Sequence, residues 1–295
     1  MQDSQDSSQA APREIGTRPL AELPGASAAQ AAPEGPAAPR GQLAVAALRD
    51  IGRVREVNQD HVFALTATLP REGGDIQMGL FIVADGMGGH DGGEVASRIA
   101  VSRAARHVLV DLVAPALDGD VSVALRPMIA AAIHDANLAV WEHARAIGSD
   151  MGTTCTLALL LGRTLHLGHV GDSRAYLISP DAIRRLTDDH TAVGRLIELG
   201  QLDPAEAREH PLRSHLYRTV GQMPEVAVDI ITEPVGDATH LLLASDGLWS
   251  MVDDAEIHAT VLAAPTPQSA CEALVVRANE AGGDDNISAI VVQLQ

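Results

Sequence analysis

The sequence of 295 residues contains no lysine: all 21 of its basic residues are arginine, against 39 Asp and Glu, for a net charge of −18. Bulk charge of that sign argues against nucleic acid or an anionic membrane as a partner. Aromatics are only 2%, so a core has to be assembled from Ala, Val, Leu and Ile, for which 46% hydrophobic content is ample. Cysteine is reduced to two, Cys155 and Cys271, far apart and in apolar runs. With no CxxC pair and no HExxH, zinc has little support, and two buried thiols in a reducing compartment are favoured over a disulfide. His166 and His169 stand three apart in what reads as a strand, so they face opposite sides and read as structural. No run approaches the ~18 apolar residues of a membrane span, and the polar start MQDSQDSSQA argues against a signal peptide. A soluble, cytoplasmic monomer is expected.

Organisation changes once. Residues 1–42, rich in Ala, Pro, Gln, Ser and Gly, cannot bury enough apolar surface to offset the entropy of ordering them. They read as a disordered tail ahead of a domain spanning 43–295. Strands are expected at 43–48, 61–67, 78–84, 154–161, 164–170, 174–178, 226–232, 239–244 and 287–294. Helices are expected near 94–112, 126–146, 192–199, 254–263 and 267–280. Strands in hairpin order followed by paired helices suggest packed sheets with helices outside.

One stretch, LFIVADGMGGHDGGEVAS at 80–97, ends an apolar strand on Asp85 and then spends five glycines in eight residues. Asp-Gly is a favoured turn pair, which is one reading. A carboxylate delivered to a metal at a strand end is the other. The same grammar returns in HLLLASDGLWS with Asp246, HVGDSRAYL with Asp172, GGDDNISAIVV with Asp284 and Asp285, and GRVREVNQDHVFAL with Asp60. Carboxylates gathered at one sheet edge need a cation, since two unit charges ~4 Å apart repel by about 4 kcal/mol at an effective dielectric of 20. Oxygen-only ligands select Mg²⁺ or Mn²⁺, and a pair of such ions can activate a water for in-line attack on phosphorus.

At this point the chain resembles a known family, the bacterial metal-dependent Ser/Thr protein phosphatases of the PPM, or protein-phosphatase-2C-like, type. The resemblance rests on RVREVNQD (53–60), VADGMGGHDGGEVAS (83–97), MGTTCTLALL (151–160), HVGDSRAYL (169–177), LTDDHT (186–191), RTVG (218–221), LLLASDGLWSMV (241–252) and GGDDNISAIVV (282–292), in the family's order. It implies an α+β fold: a central sandwich of two antiparallel β-sheets flanked by helix pairs, αββα, with a dinuclear metal site at one end.

By the same resemblance, Asp85 bridges both metals and the Gly86 carbonyl serves the second. Asp246 and Asp285 match ligands of the first, and Asp172 matches the holder of a third, weaker ion. Arg55 matches the arginine that grips the substrate phosphate. Asp60 would orient water or a metal ligand, Asn286 is a supporting neighbour, Gly88 and Gly89 let the backbone run close, and 191–217 corresponds to a mobile flap. Two positions depart from the pattern. Gln59 stands where many relatives have Glu, weakening the second metal, and Met87 stands where eukaryotic relatives place a histidine, so the general acid is unassigned. His90 reads as a loop residue. The implied activity is hydrolysis of phosphoserine and phosphothreonine in proteins, opposing a cognate Ser/Thr kinase. The alternative is a pseudophosphatase, a sensing module of the same fold; its mark would be a lost aspartate or a lost Arg55, and none is lost.

Overall fold

The computed structural model describes residues 43–70, 74–88, 92–119, 122–203, 206, 210–212 and 214–294. The expected tail at 1–42 lies outside the described residues, as do Gly89, His90 and part of the 191–217 segment.

Two antiparallel sheets form the centre. The smaller has the order β1 (Ala44–Asp50), β11 (Ile287–Gln293), β10 (His240–Ala244), β7 (Arg174–Ile178), β8 (Ile183–Arg185). The larger runs β2 (Asp60–Leu69), β3 (Ile76–Met87), β5 (Cys155–Leu161), β6 (Thr164–Val170), β9 (Asp229–Pro234), with the two-residue β4 (Gly152–Thr153) paired to the end of β3. Strand β3 is buried on both faces, which is why it reads as a continuous apolar run rather than an alternation. Phe81 and Val83 point inward to meet Leu241, Leu243, Ile290 and Val292 of the other sheet. Leu80 and Ile82 point outward to meet Ile129 and Ile133 of α3 (Leu125–Ile147) and the small residues Ala96, Ala100 and Ala104 of α1 (Gly92–Val108).

The other sheet is covered in the same way. Leu242, Ile287, Ala289 and Val291 face Ile257 and Val261 of α6 (Asp254–Ala263) and Cys271 and Leu274 of α7 (Pro267–Glu280). Three apolar layers therefore hold four layers of structure, and each buried Leu or Ile contributes roughly 1.5–3 kcal/mol. The αββα expectation is met.

Helix ends follow local chemistry. Thr266 and Ser269 form a reciprocal capping box at α7, and Asp253 caps α6 by accepting from the Glu256 N–H. The expected helix at 94–112 departs from the regular α form after Val108. It continues through a π-turn at Leu109–Val113 into the single turn α2 (Ala114–Leu117). His166 lies on the helix-facing side of β6, with Gly168 and Val170. His169 lies on the inter-sheet side, with Leu165 and Leu167.

Candidate active site

Antiparallel pairing sends alternate strand ends to the same edge. In register, Asp60 at the start of β2 is the direct partner of Asp85 near the end of β3. Asp246 lies two residues past the end of β10, Asp285 two residues before β11, and those strands are neighbours. Asp172 precedes β7, whose first residue, Arg174, pairs with Ala244. Strand order thus brings Asp60, Asp85, Asp172, Asp246 and Asp285 from five distant parts of the sequence to one end of the sandwich. Arg55 joins them from the β1–β2 connection.

Each is held by named bonds. Asp60 is fully buried; its Oδ2 accepts from Ser245 Oγ and Ser288 Oγ, both at 2.7 Å, while its Oδ1 has no partner among the described residues. The Asp85 backbone is fixed at both ends, its N–H donating to Thr154 Oγ1 and its carbonyl accepting from Thr153 Oγ1, each at 2.8 Å. The Asp85 and Asp246 carboxyls lie close enough for each to shift the other's pKa, and among the described residues Asp246 Oδ1 is buried without a partner. Arg55 Nη2 donates to Asp285 Oδ2 at 2.6 Å, with the arginine side chain 51% exposed and the aspartate 32%. A pair that open is worth at most about 1 kcal/mol, so the guanidinium is cheaply redirected.

Asn286 ties the approach to the site. Its Oδ1 accepts the Gln59 N–H at 2.7 Å, and its Nδ2 donates to the carbonyls of Ile51 and Val57, both at 3.0 Å. One side chain thus fixes the connection that carries both Arg55 and Gln59. The glycines of the 80–97 stretch have a steric reason at Gly86. A Cβ there would lie 2.0 Å from the Gly93 carbonyl oxygen and 2.7 Å from that of Gln59. Only a bare backbone lets β3, α1 and the Gln59 turn meet. Gly88 adopts φ 134°, a conformation side chains avoid.

Burial and mutual repulsion push the acids the same way. Burial first, then Asp60 and Asp246, raises Asp85 well above the ordinary carboxylate range. Burial and then Asp246 do the same to Asp172, and burial and then Asp285 raise Asp246. Burial pushes Asp60 up to about 7 despite its two serine donors. A set of acids this reluctant to ionise is a set that positive charge would relieve.

Among the described residues no group of three or more His, Cys, Asp or Glu side chains is already arranged to hold a metal ion, and Asp285 is turned to Arg55. The donor set nevertheless fits hard divalent cations. It is all oxygen, it is acidic, and it keeps unpartnered buried oxygens at Asp60 and Asp246.

Three residues next to the acids, Trp249, Arg174 and Asp189, lie inside the quoted motifs, but the sequence alone gives them no role. Trp249, closing the short helix α5 (Asp246–Trp249), donates its indole N–H to the Asp172 carbonyl at 3.0 Å. Arg174 stacks 3.5 Å over the Trp249 ring. It also grips Asp189 with a two-pronged fork at 2.9 and 2.6 Å. Arginine beside an aromatic is too common to single out before the fold brings the two together.

Comparison with known proteins agrees with this geometry. The protein phosphatase 2C family matches residues 53–275, a range that takes in Arg55, Asp60, Asp85, Asp172 and Asp246. A Listeria innocua protein named serine/threonine phosphatase stp is 33% identical over 249 residues, 83% of this chain and 93% of that one. The crystal structure of the Mycobacterium tuberculosis serine/threonine phosphatase PstP/Ppp superimposes with a TM-score of 0.72 at 32% identity, covering 86% of this chain and 99% of that chain. The catalytic domain of the serine/threonine phosphatase PstP in complex with two manganese ions gives 0.70 at 31% identity, covering 85% and 97%. Sequence and superposition converge: the chain belongs to the protein phosphatase 2C family, as a protein-serine/threonine phosphatase of the bacterial PPM type.

Proposed function

We propose that the chain hydrolyses phosphoserine and phosphothreonine in proteins, opposing a bacterial Ser/Thr kinase, and works in the cytoplasm as a monomer. The observation that carries the reading is the edge of buried, mutually repelling aspartates with a partly exposed arginine beside them. In the described residues no helix is long and apolar enough to cross a membrane.

Asp85, the Gly86 carbonyl, Asp246 and Asp285 would hold two Mn²⁺ or Mg²⁺ ions, and Asp172 a third, weaker one. Bound there, the ions supply positive charge for these acids and the Lewis acidity that turns water into a nucleophile. The chain's own residues do the rest. Arg55 exchanges Asp285 for two phosphate oxygens, a swap suited to a planar fork with permanent charge. Asp60, clamped by Ser245 and Ser288, keeps one carboxyl oxygen aimed away from its donors to orient a water or a ligand. Asn286 and the Thr153–Thr154 pair hold in place the backbone that carries Arg55 and Asp85, so that only the Arg55 side chain has to change partner. Gln59 supplies no charge where relatives have a carboxylate, which weakens the second ion.

The test is phosphate release from a phosphothreonine peptide in Mn²⁺, Mg²⁺ or chelator. Activity with either ion and none in chelator is expected. Thiol-blocking reagents should not matter, because Cys155 and Cys271 are buried and burial pushes their thiols up to about 12 and about 11. Full activity in a metal-stripped sample would contradict the reading.

A further inference from the structure

Beside the aspartates the surface opens into a cavity of about 880 Å³ that begins at Asp172, Asp246 and Asp285. Its apolar walls are Val193 and Ile197 of α4 (Ala192–Glu198) on one side and Trp249 and Met251 on the other. Two arginines line it among the described residues, Arg174 partly buried and Arg185 exposed. Arg174 spends its donors on Asp189 and on the Tyr176 hydroxyl at 3.2 Å, and its face on the Trp249 ring. Arg185 reaches the same Asp189 at 3.4 Å. The acids differ. Asp188 and Asp284 are exposed in the cavity lining and, among the described residues, neither carboxylate has an ion pair or a side-chain hydrogen bond.

We propose that this cavity receives the polypeptide flanking the phosphorylated residue and selects segments with a basic and an apolar side chain beside the phosphate. The inference rests on the phosphatase reading and deepens it. A substrate whose phosphate sits at Arg55 must lay its neighbouring residues somewhere adjacent, and this cavity starts at the same carboxylates. An aliphatic side chain loses water against Val193, Ile197 and Met251. A cationic one meets Asp188 or Asp284. An acidic one is repelled by the same two carboxylates. Arg174 is held by the Asp189 fork and the Trp249 ring, which leaves the exposed Arg185 as the single guanidinium of the described lining to set against them. The overall charge of −18 steers in the same sense but acts on any cation anywhere. The cavity adds a local preference that a single residue can reverse.

The experiment compares kcat/KM on two phosphothreonine peptides of equal length, one flanked by Arg and Leu and one by Glu, with phenyl phosphate as a substrate that carries no flanking residues to place along the cavity. The Arg/Leu peptide should be favoured by about tenfold, and the margin should shrink at high salt because exposed charges are screened. Asp188→Arg should cut the margin at least about threefold while phenyl phosphate turnover stays unchanged. Asp188→Asn should give an intermediate margin, which keeps the test intact should the reversed charge disturb folding. Equal values for the two peptides, with phenyl phosphate hydrolysed normally, would overturn the cavity proposal and leave the phosphatase reading standing. No turnover of any of the three substrates would overturn the phosphatase reading, and the cavity proposal with it.

Discussion

Two buried polar clusters lie close together in this protein, and they are finished differently. Around His169 and His190, whose rings sit 4.8 Å apart, every ring nitrogen has a partner. His169 bonds Thr156 Oγ1 at 2.9 Å and the Asp188 carbonyl at 3.0 Å. His190 accepts from the Gly171 N–H at 3.0 Å and reaches Asp229 at 3.0 Å. At the aspartate edge, Asp60 and Asp246 each keep a buried oxygen with no partner among the described residues, and like charges face one another. A completed network holds loops in place. An incomplete one costs stability, so its persistence points to a ligand that completes it.

The two clusters also respond to acid in opposite senses. The aspartates have raised pKa values, so in the absence of cations their ionisation works against the fold and acid relieves it. The histidines have lowered values, so acid forces charge on them and works against the fold.

The sharpest break comes from Asp246→Asn, which should cut kcat by at least about a hundredfold, since even residues that only support a metal ligand are worth 10–100-fold. In chelator its melting temperature should hold or rise, because the substitution removes a charge that burial and Asp285 disfavour. Steady-state kinetics and thermal unfolding on one sample decide this; a stable variant with parental turnover removes Asp246 from the site.

On the histidine side, burial and then His190 lower His169 from 6.5 to about 4. Between those values the unfolded chain holds a proton that the native one refuses, so stability falls as pH drops. The loss is complete below about pH 4 and amounts to about 3 kcal/mol at 1.36 kcal/mol per pKa unit. Denaturant unfolding of the parent and His169→Gln at pH 7 and pH 4 should show the parent losing that much more. Parallel losses in the two proteins would contradict the assignment.

Arg55 tests whether substrate binding separates from the ion chemistry. Arg55→Ala should keep Mn²⁺ affinity and melting temperature but lower kcat/KM by about ten- to a hundredfold, or ~1.4–2.8 kcal/mol. Arg55→Lys should recover part of that, since a point charge cannot reproduce the fork. The smallest effect expected is none: removing residues 1–40, whose composition offers no apolar pattern for docking, should leave melting temperature and peptide hydrolysis unchanged. A clear drop in melting temperature on truncation would show that the segment packs against the domain.

Much of this architecture is legible in the sequence because its elements are long and strongly patterned. Strands β6 and β7 and helices α6 and α7 fall on their expected residues, 164–170, 174–178, 254–263 and 267–280. The strand expected at 226–232 is instead Asp229–Pro234, because the preceding residues carry apolar alternation without a ladder partner. Strands β4 and β8 have two and three residues, too few to show a period, and exist through their partners β3 and β7. The aspartates are readable because each lies at or beside one end of a strand, four of them within two residues of a glycine. The Arg174–Trp249–Asp189 stack and the His190–Asp229 pair are not, since each joins residues from separate segments that only the fold brings together.

The central claim is that the aspartate edge is incomplete without cations. It is tested most directly by thermal unfolding of the chelator-stripped protein as Mn²⁺ is added. A ligand that binds only the native state stabilises it by about 2.7 kcal/mol at a hundred times its dissociation constant. The melting temperature should therefore climb with Mn²⁺ in the parent and climb less in Asp246→Asn. A melting temperature indifferent to Mn²⁺ in the parent would contradict the account.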